Sequence, residues 1–187
     1  MFKRNVYVKV ERLNKLPLPK YETEGSAGMD VCADLSRVDK INDLKPIESR
    51  LYEYWFSKEE QRLVIPGNGG RILIPSGLKV QIPEGYFISM RPRSGLSIRN
   101  GVMLVNTPST IDSDYRGEIM IPIINLGTEP FVVKTGDRVC QMLVEEMNRI
   151  EWVVTDHLTP TERGEGGFGS TGSSVVDSSS KEDTTEQ

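Results

Sequence analysis

The chain carries its chemistry in short polar segments set between apolar ones. RGEGGFGSTG, residues 163–172, holds Arg163, five glycines, Phe168 and the adjacent hydroxyls Ser170 and Thr171. Glycines bare backbone N–H groups and let the chain approach a ligand closely, while a guanidinium and two hydroxyls add donors for phosphate oxygens. Gly164-x-Gly166-x-x-Gly169 matches the letters of a dinucleotide fingerprint. That fingerprint needs a strand before it and a helix and strand after it, whereas only Ser- and acid-rich chain follows Gly172. The segment is either a loose tail or an arm that closes on a phosphate. A second segment, RPRSGLS at 91–97, sets Arg93 and Ser94 where a short helix would begin, and a guanidinium, a hydroxyl and helix-start amides together suit an anion. Other constellations fail. Ser94, His157 and an Asp have no G-x-S-x-G elbow around the serine, and no G-x-x-x-x-G-K-[ST] loop occurs. Two cysteines and one histidine are too few for a structural zinc site.

The elements that must position these segments read as short strands punctuated by Pro and Gly. Val6–Val10 alternates, Met29–Asp34 follows, and 71–92 is strand-like with turn signals at Pro75-Ser76-Gly77 and Pro83-Glu84-Gly85. Residues 117–125, 131–133 and 138–146 continue the pattern, which indicates an all-β sandwich or barrel. Ser94–Gly101 is the exception, with Ser94 as a candidate N-cap and Asn-Gly at its end, and fits one or two helical turns. Residues 36–64 do not read as strands. They hold six basic and six acidic residues and the aromatics Tyr52, Tyr54, Trp55 and Phe56, and Ser57-x-x-Glu60 resembles a capping box opening a short helix. At 187 residues the chain reads as one β domain over 1–160, an arm at 161–172 and a disordered acidic tail at 173–187. Net charge is −4, of which −3 lies from Gly172 onward, so direct nucleic-acid or anionic-membrane binding is not expected. No run is apolar enough for a membrane span, and MFKRNVYVKVERL lacks an apolar signal core. Cys32 and Cys140 read as buried free thiols in a reducing compartment, cytoplasmic, or nuclear in a eukaryotic or viral setting.

Five segments recur in one order: SAGMD (26–30), RPRSGLS (91–97), IDSDYRGE (111–118), GDRVCQ (136–141) and RGEGGFGSTG (163–172). Together they resemble the five motifs of the trimeric dUTPases, over most of residues 5–172, with extra chain at 36–64. The resemblance implies a jelly-roll-like β-clip barrel, a homotrimer with active sites shared between subunits, Mg²⁺, and hydrolysis of dUTP to dUMP and pyrophosphate. That reaction would limit uracil in DNA and supply dUMP for dTMP synthesis. It also assigns roles. Asp112 orients the attacking water, and Asp30 supports the metal through water. Arg93, Ser94, the Gly95 backbone and Gln141 contact phosphates. The Tyr115 ring packs on the deoxyribose, with no space for a 2′-hydroxyl. Uracil is held by the backbone hydrogen bonds of a β-hairpin, with Asn106 where some members use an amide side chain. Arg163, Ser170 and Thr171 meet the distal phosphate, and Phe168, beside Gly169, stacks on the base. In the family the arm often closes over a neighbour's site.

The residue types suit the chemistry. Water attack on a triphosphate needs a base, cations to spread charge and little covalent help from protein. Three phosphate oxygens can chelate Mg²⁺ with waters completing the octahedron, which explains the lack of a dense carboxylate cluster. Arg91 and Arg99 read as surface or intersubunit ion pairs. One departure stands out: Ser109 occupies a position, two before Ile111-Asp112, where the family often has Gly, so the hairpin is expected to bend differently near Asn106. Two other readings share the fold: a dCTP deaminase, disfavoured by the complete IDSDYRG and the Phe-bearing arm, and a regulatory protein that binds a partner through 36–64.

Overall fold

The computed structural model describes residues 5–46 and 52–167. The chain divides into two compact units, Met1–Asn148 and Arg149–Gln187. In the first unit three sheets form an all-β, jelly-roll-like fold. One sheet runs β1 (Lys9–Arg12), β5 (Gly70–Gln81), β9 (Glu118–Asn125), β7 (Val102–Leu104). A second runs β2 (Met29–Cys32), β11 (Arg138–Glu146), β6 (Tyr86–Pro92), β8 (Ser109–Ile111). The third is β10 (Phe131–Lys134), β4 (Arg62–Ile65), β3 (Trp55–Ser57). Every pairing is antiparallel.

β9 shows why these residues make strands. Its burial alternates along GEIMIPIIN, with Ile119, Ile121 and Ile123 fully buried. Each such side chain contributes about 1.5–3 kcal/mol of burial free energy, so a one-residue slip would turn all three to the opposite face. Asn125 ends the run, also fully buried. Its amide donates to Ile65 O (3.2 Å) and Glu129 O (2.9 Å) and accepts from Gly127 N (3.1 Å), which ties β9 to β4 and to the loop after it.

Three sequence expectations need correction. Pro75-Ser76-Gly77 is not a turn between strands but a bulge inside β5: Pro75 faces Met120 and Lys79 faces Glu118, so β5 carries two extra residues. Gly77 takes φ 74°, and a Cβ there would lie 1.8 Å from Asn14 Nδ2. At the bulge β5 acquires β1 as a partner, Leu13 N donating to Gly77 O (2.8 Å). The bulge is braced by fully buried Asp34, which accepts from the Ser36 N–H and hydroxyl and from Arg37 Nε (2.8 Å). Arg37 also pairs with Glu118, whose carboxylate accepts from Gly77 N (2.7 Å). Second, residues 36–64 do contain strands, β3 and β4, together with a 3₁₀ turn at Ile41–Leu44. Ser57 caps no helix; its Oγ accepts from Glu60 N (3.2 Å) in the turn that joins those strands. Charges on the solvent side of a small sheet hid the pattern, while Leu63 and Ile65 are fully buried. Third, the N-cap of the helix is Arg93, without a side-chain bond, and Ser94 is the first residue of α1 (Ser94–Asn100). Gly101 ends α1 in the left-handed region, as Asn-Gly implied.

Both cysteines are free, Cys140 fully buried and Cys32 partly so, and burial pushes both thiols up. No described helix is long and apolar enough to cross a membrane. In the second unit the described residues, 149–167, form no helix or strand, and Ile150, Trp152, Val153, Val154 and Leu158 are all strongly exposed.

Candidate active site

The sheet β2-β11-β6-β8 gathers segments that are far apart in sequence. Asp30 on β2 faces Gln141 on β11, 111 residues away, and Gln141 in turn faces Arg91 on β6. Gln141 Nε2 donates to Asp30 Oδ1 (3.1 Å). Arg93, just past β6, brings its Nη2 to 3.3 Å from Asp30 Oδ2 and donates through Nη1 to Arg138 O (2.9 Å). The Arg138 guanidinium also lies 3.3 Å from Asp30 Oδ2 and 3.5 Å from Glu22. A nearly buried carboxylate thus fixes two guanidiniums and an amide on one face, and with Glu22 set at the far side of Arg138 the donors stand ready for phosphate oxygens.

Arg138 was not assigned a role from sequence. Arg138 and Gln141 are three residues apart, and strict strand alternation would put them on opposite faces. A bulge at Val139 reverses that parity: Arg138 pairs with Cys32, and Cys140 with its neighbour Val31. The signal was a cation inside GDRVCQ, but the bulge that makes it relevant has no letter of its own.

α1 follows directly. Leu96 N and Ser97 N both donate to Arg93 O at 3.0 Å, so the preceding N–H groups of Ser94 and Gly95 are left for a ligand or water. Ser94 is exposed and Gly95 partly buried. Arg91 pairs with Glu145 at 2.7 Å, as expected. The Arg99 guanidinium has no acidic partner among the described residues of its own chain and lies over Gly95, where a Cβ would come within 2.8 Å of Nη2.

The segment around β8 forms a separate group. Asp112 and Tyr115 flank a turn, with Tyr115 N donating to Asp112 O (3.2 Å) and the Tyr115 hydroxyl to Glu118 O (3.0 Å). Asp112 is exposed, and its carboxylate takes no hydrogen bond or ion pair from any described residue. Gly117 leaves room for the Tyr115 ring, since a Cβ there would lie 2.2 Å from its oxygen. Asn106 is exposed and accepts a hydrogen bond from Ser109 (2.6 Å). The expected hairpin differs in form: β7 and β8 do not pair with each other but belong to different sheets.

The two groups do not meet within one chain. Ile111 faces Ile88, and continuing that register one step sets Asp112 beside Phe87. Arg93 lies six positions farther along β6, about 20 Å away at some 3.3 Å per residue. A base and a phosphate clamp serving one bond must stand within a few ångströms of the reacting atoms.

Among the described residues no group of three or more His, Cys, Asp or Glu could hold a metal. A divalent cation here would draw its inner ligands from phosphate and water. Asp30 suits an outer contact, because Oδ1 accepts one hydrogen bond, from Gln141, and retains a lone pair for a metal-bound water. In the second unit Arg163 Nε donates to Gly166 O (2.8 Å), closing a turn. Phe168, Gly169, Ser170 and Thr171, and the tail at 173–187, lie outside the described residues.

Comparison with known proteins places the site in context. The dUTPase family model matches residues 57–172. The deoxyuridine 5'-triphosphate nucleotidohydrolase of Fusobacterium nucleatum is 43% identical over 169 residues, covering 90% of this chain and 99% of its own. That of Finegoldia magna is 46% identical over 169 residues, covering 88% and 99%. Among solved structures, the Staphylococcus bacteriophage 80alpha dUTPase with dUPNHPP superposes with a TM-score of 0.67 at 20% identity, covering 89% of this chain and 99% of that one. A mutant dUTPase from phage phi11 of S. aureus, described with a structural Mg(II) ion, gives a TM-score of 0.59 at 17% identity over 81% and 98%.

Proposed function

The chain belongs to the dUTPase family, and from that premise we propose that it splits dUTP into dUMP and pyrophosphate by attack of an Asp112-oriented water on a Mg²⁺-bound triphosphate. The overall activity is that of a dUTP diphosphatase. The observation that carries the finer reading is the sheet β2-β11-β6-β8, on which four motifs scattered over the sequence occupy four adjacent strands or their ends.

The water oxygen forms its bond to phosphorus at the α–β bridge as the bridging P–O bond breaks, and the water proton passes to the Asp112 carboxylate. Arg93, the Ser94 hydroxyl, the Ser94 and Gly95 amides and Gln141 hold the phosphates, with Arg93 pre-aimed by Asp30. Mg²⁺, when bound, spreads phosphate charge, and Asp30 would hold it through water. Tyr115 packs on the deoxyribose and Asn106 meets the uracil. Arg163, Ser170 and Thr171 take the distal phosphate, with Phe168 and Gly169 closing over the base.

The separation of Asp112 from Arg93 along β6 supports a site assembled from more than one subunit, in a homotrimer. The exposed run Ile150, Trp152, Val153, Val154 and Leu158 supports it too, since so many large apolar side chains in one extended segment call for a covering surface. Trp55, half exposed on edge strand β3, is the residue we nominate for any partner contact through 36–64.

The test is pyrophosphate release from dUTP, dTTP, dCTP and UTP in parallel, with Mg²⁺ and with chelator. Turnover of dUTP alone, lost on chelation, is expected; comparable turnover of all four would overturn the substrate assignment. Asp112→Asn should bind a non-hydrolysable dUTP analogue while losing about 10²–10⁴ in turnover.

A further inference from the structure

We infer that Ser109 is a positioning residue that selects uracil over cytosine by fixing the orientation of the Asn106 amide. The inference rests on the reading above, in which Asn106 meets the base. Ser109 opens β8 opposite Met90 and is only 6% exposed, so its hydroxyl needs a partner inside the protein. That partner is Asn106: the Ser109 hydroxyl donates to Asn106 Oδ1 at 2.6 Å.

The consequence follows from the planarity of the amide. With Oδ1 held by a donor, Nδ2 is the end left for a ligand, and no described residue accepts from it. The exposed tip of Asn106 therefore presents its two N–H donors, while Oδ1 is turned toward Ser109 with one lone pair taken. Uracil carries a carbonyl at C4, which accepts from those donors. Cytosine carries an amino group there, which sets donor against donor and leaves both unpaired. An amide rotated by half a turn would offer Oδ1 instead and would favour the amine, but it would turn Nδ2 to Ser109 and leave the buried hydroxyl proton without an acceptor, so the hydroxyl biases which base the tip matches. A glycine at 109 has no side chain with which to do this, and Asn106 would then turn freely.

The experiment compares wild type, Ser109→Ala and Ser109→Thr with dUTP, dCTP and the 4-deoxo analogue, 2-pyrimidinone deoxyribonucleoside triphosphate, which lacks the C4 substituent. Ser109→Ala is expected to raise KM for dUTP several-fold with kcat within about twofold, and to lower the dUTP-over-dCTP ratio of kcat/KM about tenfold. It should also narrow the gap between dUTP and the 4-deoxo analogue, which a merely structural role would not do. Ser109→Thr, keeping the hydroxyl, should restore both ratios. An unchanged dUTP-over-dCTP ratio in Ser109→Ala overturns the inference, whatever happens to KM. Should Ser109→Ala fold poorly, Asn106→Asp serves: it keeps an acceptor for Ser109 and removes the donors, so the ratio must fall, and a ratio that stays put is equally fatal. The wild-type control separates the two levels. No dUTP preference in wild type sinks the dUTPase reading itself, a preference untouched by Asn106→Asp sinks the contact of Asn106 with the base, and one untouched by Ser109→Ala alone sinks only the role of Ser109.

Discussion

Mixing two inactive variants should regenerate activity. Take Asp112→Asn, which removes the base, and Arg93→Ala, which removes the phosphate clamp; each parent is expected to retain about 1% of wild-type turnover or less. The two residues stand about 20 Å apart along β6 within one chain, so on the proposed mechanism a working site draws Asp112 from one subunit and Arg93 from another. In trimers assembled at random from an equal mixture, the subunit giving the base is intact at that position half the time, and so is the one giving the clamp. About one site in four therefore carries both, and turnover should return to about a quarter of wild type, some 25-fold above either parent. The assay is continuous pyrophosphate release with saturating dUTP, on variants carrying different tags, mixed before and after denaturation and refolding so that subunit exchange is controlled. Recovery should require exchange and follow the product of the two mixing fractions, with its maximum at equal amounts. If co-refolded mixtures purified through both tags show only the mean of the parents, Asp112 and Arg93 of the same chain must cooperate.

Other outcomes follow from the same contacts. Burial pushes the Asp34 carboxyl up, but hydrogen bonds from Ser36, Asn14 and Arg37 outweigh it and hold it below the ordinary value. Its contribution to stability is then complete above the unfolded carboxylate value near 3.9 and is lost as pH falls through the lower folded value. Asp34→Asn should cost about 1–3 kcal/mol at neutral pH, and urea melts should show its difference from wild type shrinking in that acid window. Asn125→Ala strands Gly127 N and the carbonyls of Ile65 and Glu129, and calorimetry should register a loss of about 2–4 kcal/mol. Truncation after Glu162 should leave the melting temperature of the β unit nearly unchanged while lowering kcat/KM by about tenfold or more, which circular dichroism and the pyrophosphate assay read separately.

What the sequence disclosed depended on how strongly burial constrained it. β9 and β11 were legible because both are apolar runs set between turn signals, with Ile119, Ile121 and Ile123 of β9 on the buried face. α1 was legible because Asn100-Gly101 marks its end. β3 and β4 were not, because charges crowd the outer side of a small sheet and only two of their side chains, Leu63 and Ile65, are fully buried. The two bulges were illegible for a different reason: each changes the pairing count without a distinctive residue pattern, and Pro75-Ser76-Gly77 even imitates a turn. The site divides likewise. The letters of each motif could be read singly, but which motifs meet is a matter of strand order. Asp30 meeting Gln141 follows from β11 lying beside β2, and Asp112 standing apart from Arg93 follows from the antiparallel register of β8 on β6.

That strand order also sets a timetable. β11 is the last strand of the first unit, and within its sheet it is the only neighbour of β2. While the chain is being synthesised, Asp30 emerges early and then waits for more than a hundred residues until Gln141 and Arg138 arrive to neutralise and bond it. Pairings of such long sequence separation form slowly, because the intervening loop must be closed before any contact rewards the closure. A nascent chain that stops short of residue 138 has an unfilled slot in the sheet, and its Arg93 lacks the Arg138 carbonyl and the Gln141 amide beside it. On the proposed reading, affinity for nucleotide is acquired only near the end of synthesis, and incomplete chains should neither sequester dUTP nor be rescued by it.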